Sequence, residues 1–394
     1  MVIAISFMMM IALLTLSLPL LSVGTIEPMI ASNILRTSRG QYAAETGAER
    51  ALAQFIATPA LLTSASSTPT TLFSAQAMPD NSGSYTVTYQ RQGWNAVMIQ
   101  STATTTGSAQ SVVRTVLTNT YLNSRGILTG QDLTVSTTTA VQGALGSIHA
   151  NGNLALSGTV SIAKDATAKG TYQATGGATV AGQSGGGKPT VSLPSVTPSS
   201  LQSYADYILE TVGNNGRIRV TATGQTFNSG WNGWSYNRST RIWSNSRSTI
   251  PAGTYYANQA SIGITGAAGT SANPWRATLI ATNDITITGR VVMAPDATTS
   301  TDGSDLALVA GGDILINIAS GSASVTGLVA ANEQVKLSGT ISLTGAVIAA
   351  GAANARGTVT SNSVSGNVTI SNSRQLRNPL QGPVQVLSWT TVPG

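Results

Sequence analysis

Acidic side chains are the first place to look for chemistry in this sequence, because cleavage of a glycosidic bond needs a pair of carboxylates around that bond. The repetitive part of the chain carries Asp132, Asp165, Asp284, Asp296, Asp302, Asp305, Asp313 and Glu333. Of these, Asp284 and Asp313 occupy equivalent positions of a repeat, where we expect a structural corner role. We therefore predict that the protein is not an enzyme. A carbohydrate-active β-helix enzyme is the alternative.

Two other motifs are typical of ligand sites but depart from them in one essential feature each. Residues 182–188 match the first seven positions of a phosphate-binding P-loop, but Pro189 stands where Ser or Thr would hold magnesium. Asp296, Asp302 and Asp305 share a loop, but their spacing fits no EF-hand. We predict a flexible linker at the first motif and solvated turn residues at the second.

Histidine and cysteine chemistry is restricted by composition. The chain has one histidine, His149, and no cysteine, which excludes thiolate catalysis and Cys-based zinc sites. His149 has no second histidine or nearby carboxylate along the sequence, so we expect it to be a structural residue. The sequence predicts no cofactor, no bound metal and no small-molecule substrate.

The segment 211–250 has the strongest binding signature. It carries five arginines and no acid, together with five aromatic residues, namely Arg217, Arg219, Arg238, Arg241, Arg247, Phe227, Trp231, Trp234, Tyr236 and Trp243. Arginines beside exposed rings suit an anionic polymer, a glycan or single-stranded DNA, through charge pairing and stacking. The candidate ligand-contact surface is Arg238, Arg241, Arg247, Trp231, Trp234, Tyr236 and Trp243. The alternative is that the rings pack on the fold and the arginine stems cover them.

Composition favours a β protein. Only 34 of the 394 residues are charged, against roughly a quarter in an average soluble protein, while 41 are Gly and 5% are aromatic. Ser, Thr and Val recur along nearly the whole chain, as they do in strands and turns. The composition is therefore not typical of a protein with large helical cores and charged surfaces.

An apolar run opens the chain. From Val2 to Val23 there is no charged residue, and as a helix this run would reach across a hydrocarbon core. No Lys or Arg precedes it, so we expect an uncleaved membrane anchor rather than a signal peptide. A helical pattern with a polar side continues from Ile26 to Ile56 and ends at Thr58-Pro59. The sequence thus predicts one long helix over residues 1–57, transmembrane first and amphipathic after.

The stretch that follows the apolar run resembles a known family. Gln41-Tyr42-Ala43-Ala44-Glu45-Thr46-Gly47-Ala48-Glu49-Arg50-Ala51-Leu52 is similar to the N-terminal region of PilX-like minor pilins and pseudopilins. The resemblance covers residues 1 to about 57. It implies insertion in the bacterial inner membrane, with the later domains in the periplasm or on the cell surface, and packing of the helix against other pilin or pseudopilin subunits.

Strand patterns occupy the rest of the chain. Residues 58–80 read as a connector, and strands at 85–89, 96–102 and 111–118 predict a small antiparallel domain that covers the long helix. A repeat follows: residues 148–158 match residues 279–289, and further copies begin at Leu308, Leu328 and Val347. The anchors are 29, 20 and 19 residues apart, the period of a β-solenoid coil. A β-sandwich is the alternative.

An insertion at about 182–276 interrupts this repeat. Within it, Ser199-Ser200 can cap a short helix whose apolar residues run from Leu201 to Leu209 and which ends at Gly213. The predicted domains are a helix (1–57), a connector with a small β domain (58–122), and a β-solenoid with insertion (123–394). The fold class is mainly β.

These features predict a structural, surface-displayed component of a type IV pilus or pseudopilus-like assembly, acting in filament assembly or adhesion. Its partners would be the membrane, through Val2–Val23, and other pilin subunits, through the N-terminal helix. The alternative is a membrane-anchored adhesin that is independent of a pilus.

Overall fold

The structure is a computed structural model, which describes residues 2–92, 96–105, 110–295, 305–351 and 358–393. Within these ranges, the side chains of residues 2–5, 16, 18–25 and 393 are not described. The chain is mainly β, with one long N-terminal helix.

The described helices are α1 (Val2–Ala57) and α2 (Ala60–Ser64), with 3-10 helices at Pro198–Tyr204 and Trp231–Gly233. The first strands are β1 (Thr70–Ala77), β2 (Gly83–Arg91), β3 (Ala96–Thr105), β4 (Gln110–Thr120), β5 (Ile127–Thr129), β6 (Leu133–Val135), β7 (Thr138–Gln142), β8 (Ile148–Ala150), β9 (Leu154–Leu156), β10 (Thr159–Ile162), β11 (Ala166–Ala168), β12 (Tyr172–Ala174), β13 (Thr179–Val180) and β14 (Ser184–Gly185). The remaining strands are β15 (Tyr207–Val212), β16 (Asn215–Val220), β17 (Thr226–Asn228), β18 (Ser235–Asn237), β19 (Ile242–Asn245), β20 (Gly253–Ala257), β21 (Ser261–Ile264), β22 (Trp275–Ala281), β23 (Ile285–Ile287), β24 (Val292–Ala294), β25 (Leu306–Ala310), β26 (Ile314–Ala331), β27 (Val335–Ala349), β28 (Asn362–Ser371) and β29 (Gln381–Pro393).

The chain divides into two compact units. Unit 1 comprises residues 1–119 and 384–394, and unit 2 comprises residues 120–383. In unit 1, β2, β3 and β4 pair antiparallel in sequence order, β1 lies beside β2, and β29 lies beside β4. This confirms the three strands predicted from sequence. The sequence missed β1, which lies in the predicted connector, and β29, which was assigned to the solenoid domain.

The C-terminal half of α1 packs on this sheet. Its buried face consists of small residues and one large ring, namely Ala43, Ala44, Ala48, Ala51 and Phe55. Gly47 lies so close to Tyr85 and Ser101 that a Cβ would collide with both side chains, so glycine permits the close approach of helix and sheet. The Phe55 and Tyr89 rings meet edge to face at 5.4 Å. The prediction that the small β domain covers the helix is confirmed here.

The predicted membrane anchor is wrong. Among the described residues, no helix is long and apolar enough to cross a membrane. Within the apolar run, the structure describes the side chains of residues 6–15 and 17. The rest of the Val2–Val23 prediction falls on side chains outside the described residues. A single-pass location in the inner membrane is therefore not supported.

Unit 2 is built from three columns of parallel strands. The first column runs β15, β20, β22, β25, β26, β27, β5, β8, β11 and β14. The second runs β19, β21, β23, β26, β27, β28, β6, β9 and β12. The third runs β22, β24, β26, β27, β28, β7, β10 and β13. We call these three columns together the strand stack.

Sequence order and stack order differ. The chain enters the stack in its middle with β5 and builds outward to β14, and it then continues at the opposite end with β15 and builds back to β28. The two series meet where β28 pairs with β6 and β7, and where β27 pairs with β5. The segment between β14 and β15 connects the ends: its residues Val196 and Leu201 are buried in an apolar cluster with Leu128, Ile280 and Val309 of the first column.

The predicted repeat is visible in the strand register. Leu279 pairs with Leu308, and Val329 pairs with Val347, Val347 with Ile127, and Ile127 with Ile148. The predicted anchor at Leu328 is displaced by one residue, because an irregularity between Leu306 and Leu308 aligns Leu308 with Val329 instead. The alternating inward side chains, Ile316 among them, are buried in one continuous apolar core.

The insertion region needs three corrections. Residues 182–188 are not a free linker, because Ser184–Gly185 pairs in parallel with β11 and the Lys188 N–H donates to the Ala168 carbonyl at 2.9 Å. The predicted helix that ends at Gly213 is replaced by the 3-10 helix Pro198–Tyr204 followed by β15. Strands β20 and β21 also lie inside the predicted insertion, yet they pair within the stack like the repeat strands.

Candidate functional site

The N-terminal half of α1 carries a surface of large apolar side chains. We call it the apolar helix surface, and its exposed members are Phe7, Met8, Met9, Met10, Ile11, Leu13, Leu14, Ile26, Met29, Ile30, Ile34 and Leu35. Their exposed fractions run from 48% for Ile11 to 77% for Met8. Large exposed apolar patches mark sites of interaction, because a monomer gains nothing from presenting them to water.

The change from exposed to packed helix occurs at Gly40. This residue is buried, and a Cβ there would collide with the Ser111 side chain of β4. Beyond it the helix buries Ala43 and Ala44 against the sheet. One continuous helix therefore has a half that the sheet covers and a half whose apolar side chains lie in the open.

A second notable region is an aromatic cluster at the β15 end of the strand stack. We call it the aromatic cap, and it consists of Tyr207, Phe227, Trp231, Trp234, Tyr236, Trp243 and Tyr255. Tyr207 stacks on Tyr255 with ring centroids 4.6 Å apart, and Phe227 stacks on Trp231 at 4.6 Å. Trp231 meets Tyr207 at 5.6 Å, which links the two pairs.

Short antiparallel strands hold the aromatic cap. Strands β16 and β17 extend antiparallel from β15, and β18 pairs antiparallel with β19. Trp234 and Trp243 are fully buried, with exposed fractions of 0%, and they belong to the core of the stack. Trp231 and Tyr236 are half-buried against the same core.

This burial corrects the predicted ligand-contact surface at two residues. Trp234 and Trp243 cannot stack on a ligand, since no part of either ring reaches the surface. Their role is to close the end of the apolar core. For Trp231, Tyr236 and the three arginines, ligand contact stays a prediction.

The arginines of this region divide into two groups. Glu210, one residue before the segment that the sequence singled out, binds Arg217 at 2.7 Å and Arg219 at 3.7 Å. Arg238, Arg241 and Arg247 are exposed and form no ion pair with any side chain that the structure describes. Within the segment 211–250, the arginines without an ion pair are therefore these three.

Local geometry fixes the backbone around the free arginines. The Asn237 carboxamide oxygen accepts hydrogen bonds from the Ser239 N–H at 3.0 Å and from the Thr240 N–H at 3.3 Å, and Arg241 takes the left-handed conformation with φ of 55°. The Arg247 stem lies over Gly233, where a Cβ would come within 2.7 Å of its Cδ. The packing of this stem agrees with the alternative that arginine stems cover the fold.

The acids at equivalent repeat positions are bound by neighbouring strands. Asp284 accepts a hydrogen bond from the Asp313 N–H at 3.0 Å and one from the Thr358 hydroxyl at 2.8 Å. Asp313 is fully buried and accepts from the Gln334 N–H at 3.0 Å and the Val359 N–H at 2.7 Å. Burial raises the pKa of the Asp313 carboxyl. These bonds join successive layers of the stack, so both acids have a structural role.

Of the three aspartates predicted to be solvated turn residues, the structure describes only Asp305, which is half-buried and ion-paired. Asp305 binds the Arg374 guanidinium through two hydrogen bonds of 2.8 Å and accepts the Arg377 N–H at 2.8 Å. Burial opposes ionisation of Asp305, but these donors outweigh it and hold the carboxyl pKa below its usual value. Asp296 and Asp302 lie outside the described residues. No group of three metal-binding side chains occurs in the part of the chain that the structure describes.

His149 is buried within the first column. Its Nε2 lies 3.1 Å from the Asn151 carboxamide oxygen, and its Nδ1 lies 2.8 Å from the Thr167 hydroxyl. The Asn151 oxygen can only accept, so Nε2 carries the proton and Nδ1 accepts from Thr167. Burial lowers the pKa of His149, which favours this neutral form. Asn151 also bonds the Val191 backbone in both directions, at 2.8 and 2.9 Å, which fastens the connecting segment to the stack.

Comparison of the chain with models of known protein families, with curated proteins and with solved structures found no match.

Proposed function

We propose that this protein is a structural subunit of a pilus-like or pseudopilus-like filament. In the filament, the apolar helix surface packs against the helices of other subunits, while unit 2 is displayed on the outside. The proposal assigns no chemical reaction to the chain. The single observation that carries it is the division of α1 at Gly40 into a packed half and an exposed apolar half.

The energetics support association through this surface. Removing a large apolar side chain from water contributes about 1.5–3 kcal/mol, and the apolar helix surface presents twelve such side chains among the described residues. Helix-on-helix packing would bury several of them at once, because residues spaced three and four apart share a helix face. Ile26, Ile30 and Ile34 are spaced in this way.

We propose further that the strand stack of unit 2 is a β-solenoid. Three columns of parallel strands, an inward-facing apolar core and corner acids that bond the next layer all support this reading. A solenoid suits a displayed unit, since every layer is held by backbone hydrogen bonds to its neighbours. The β-sandwich alternative predicts antiparallel hairpins throughout, whereas antiparallel pairs in unit 2 are confined to β15–β19 among the described strands.

The test is a charge on the apolar helix surface with a matched control. Ile30→Asp places a carboxylate in the exposed half of α1, and Ile56→Asp places the same group at a similarly exposed position of the packed half, since the two isoleucines are 52% and 57% exposed. Both variants should unfold at the parent's temperature, because neither side chain is buried. Only Ile30→Asp should abolish recovery of the chain in sheared filament fractions of producing cells. Equal recovery of the two variants would refute the proposal.

A second candidate function, binding of an anionic polymer, is favoured by the three arginines without ion pairs. Replacing Arg238, Arg241 and Arg247 by Ala should weaken retention of the protein on single-stranded DNA. If all three contact phosphates, the slope of log affinity against log salt should fall by about 2, because each contact contributes roughly 0.7.

The control for this test removes three charges elsewhere in unit 2. Arg276, Arg290 and Lys336 are exposed, and their triple replacement by Ala changes the net charge equally. The control should keep the parent's slope. If both triple variants lose affinity alike, binding follows net charge and the arginine surface has no specific role.

A further inference from the structure

The two ends of the strand stack differ in how they terminate. At the β15 end, antiparallel strands and the aromatic cap cover the apolar core, and Trp234 and Trp243 are fully buried. At the other end, the last layer consists of β12, β13 and β14. Each of these strands pairs with one neighbour among the described strands, namely β9, β10 and β11. We call this layer the open end.

Exposure rises abruptly at the open end. In the layer beneath, Leu156, Ile162 and Ala166 are buried, with exposed fractions of 0–1%. Their partners in the open end are Ala174 and Ser184, which are exposed, and Val180, which is half-buried. The apolar core therefore ends at a cross-section that the described chain does not cover.

The open end also presents backbone groups. The Thr175 N–H donates to Leu156 and the Ala181 N–H donates to Ile162, both at 2.9 Å, so these residues face the layer beneath. Peptide groups alternate in direction along a strand, so the N–H and C=O groups of Ala174 and Val180 point away from the stack. By the same alternation, the N–H and C=O groups of Tyr172 and Ser184 also point away from the stack.

Natural sheets protect such edges with charges, prolines or bulges. At the open end, the 17 residues 171–187 include no charged residue and no proline, and Lys188 and Pro189 follow at its C-terminal edge. By contrast, the aromatic cap end carries three exposed arginines. The open end is thus the end suited to pairing.

We propose that the open end binds the open end of a second copy of this chain. A two-fold axis perpendicular to the stack would set the strands of the two copies antiparallel and join their exposed backbone groups. A single strand from another protein could satisfy one column, whereas a second open end presents all three columns with matching spacing. Because the aromatic cap closes the other end of the stack, association through the ends of the strand stack stops at a dimer.

The interface is small. Its 17 residues fall below the 20–30 residues per side of a standard interface, so we expect a dissociation constant in the micromolar range. The interface is independent of the apolar helix surface, and it requires neither a filament nor a membrane. If the filament proposal proves wrong, the proposed dimer through the open end is unaffected.

The absence of cysteine allows a direct test with the full chain. Gln173→Cys places one thiol at the exposed open end, and Thr240→Cys places one at the exposed cap end. Treatment with a short bis-maleimide at micromolar protein concentration should produce a covalent dimer from Gln173→Cys and little from Thr240→Cys. Dimerisation through α1 alone would not favour position 173 over position 240.

Blocking variants complete the test. In the Gln173→Cys background, Ala174→Pro removes an outward N–H that no described bond uses, and Val180→Lys places a charge on the end of the core. Each should reduce the cross-linked dimer at least roughly tenfold while the circular dichroism spectrum stays that of the parent. Equal cross-linking at both ends, no cross-linking at position 173, or an adduct with a different protein in cells would each overturn the proposal.

Discussion

Trp243 offers the sharpest test of whether the aromatic cap is a closure of the fold. Its ring is fully buried, lies 5.1 Å from the Tyr236 ring, and occupies the space beside Gly216 that a Cβ would need. Trp243→Ala removes this packing at the end of the core. Replacing a buried tryptophan by alanine costs about 3–5 kcal/mol.

A buried hydrogen-bond donor of the Trp243 side chain reduces the expected cost of Trp243→Ala. The Trp243 indole N–H is buried without a hydrogen-bond partner among the described residues, and an orphan donor costs about 1–3 kcal/mol. Removing it offsets part of the lost packing, so we expect a loss near the lower end, about 3 kcal/mol. Trp243→Phe keeps a ring and also removes the orphan donor, so its cost should stay within about 1.5 kcal/mol.

The assay is urea unfolding of the full chain followed by circular dichroism, with Arg238→Ala as the exposed control. Since Arg238 forms no described ion pair, its replacement should change the free energy of unfolding by less than about 0.5 kcal/mol. The structural role of the cap is refuted if Trp243→Ala unfolds at the parent's midpoint, or if Arg238→Ala is the more damaging change.

Three other outcomes are expected. Ile316→Asp buries an unpaired carboxylate and should lower the free energy of unfolding by several kcal/mol. The same change at half-buried Leu315 should lower it far less. Equal melting temperatures of the two variants would show that the strand register is wrong. For Asp305 the pKa is lowered on folding, so its pairing with Arg374 stabilises fully above the ordinary value of 3.8 and is lost as pH falls through the lowered pKa; Asp305→Asn should flatten that acid loss in melts across pH. For Asp313 the pKa is raised, so stability should fall as pH rises from 3.8 through the raised value, and Asp313→Asn should remove that fall.

Local periodicity predicted the elements whose pattern is self-contained. The long helix, the strands β2, β3 and β4, and the repeat copies at Leu279, Leu308 and Val347 all follow from the spacing of apolar residues. Repeat copies align because inward positions must be apolar in every layer. The one-residue error at Leu328 arose because a register irregularity leaves no trace in the apolar pattern.

Pairings between distant parts of the chain were not predictable in this way. The position of β29 beside β4 joins residues more than 260 apart in the sequence, and nothing near residue 381 signals that partner. The join between β28 and β6 is of the same kind. Residues 182–188 read as a linker because glycines dominate them, although in the stack their backbone is held by the layer beneath.

The candidate binding region shows the same limit. Arginines interleaved with aromatic residues are compatible with an exposed binding surface and also with a cap over the core. Which of the two forms depends on whether the rings pack against other parts of the fold. Trp234 and Trp243 are buried since the antiparallel strands fold over the end of the stack. The pairing of Arg217 with Glu210 was missed because the acid lies just outside the segment considered.

The central claim, that other helices cover the apolar helix surface in a filament, can be measured by thiol protection. Ile30→Cys and Ile56→Cys each supply the only thiol of the chain, at positions that are similarly exposed in the isolated subunit. In purified filaments, we predict that a maleimide labels position 56 at the rate of the free subunit and position 30 at least roughly tenfold more slowly. Equal labelling rates at the two positions in filaments would contradict the account.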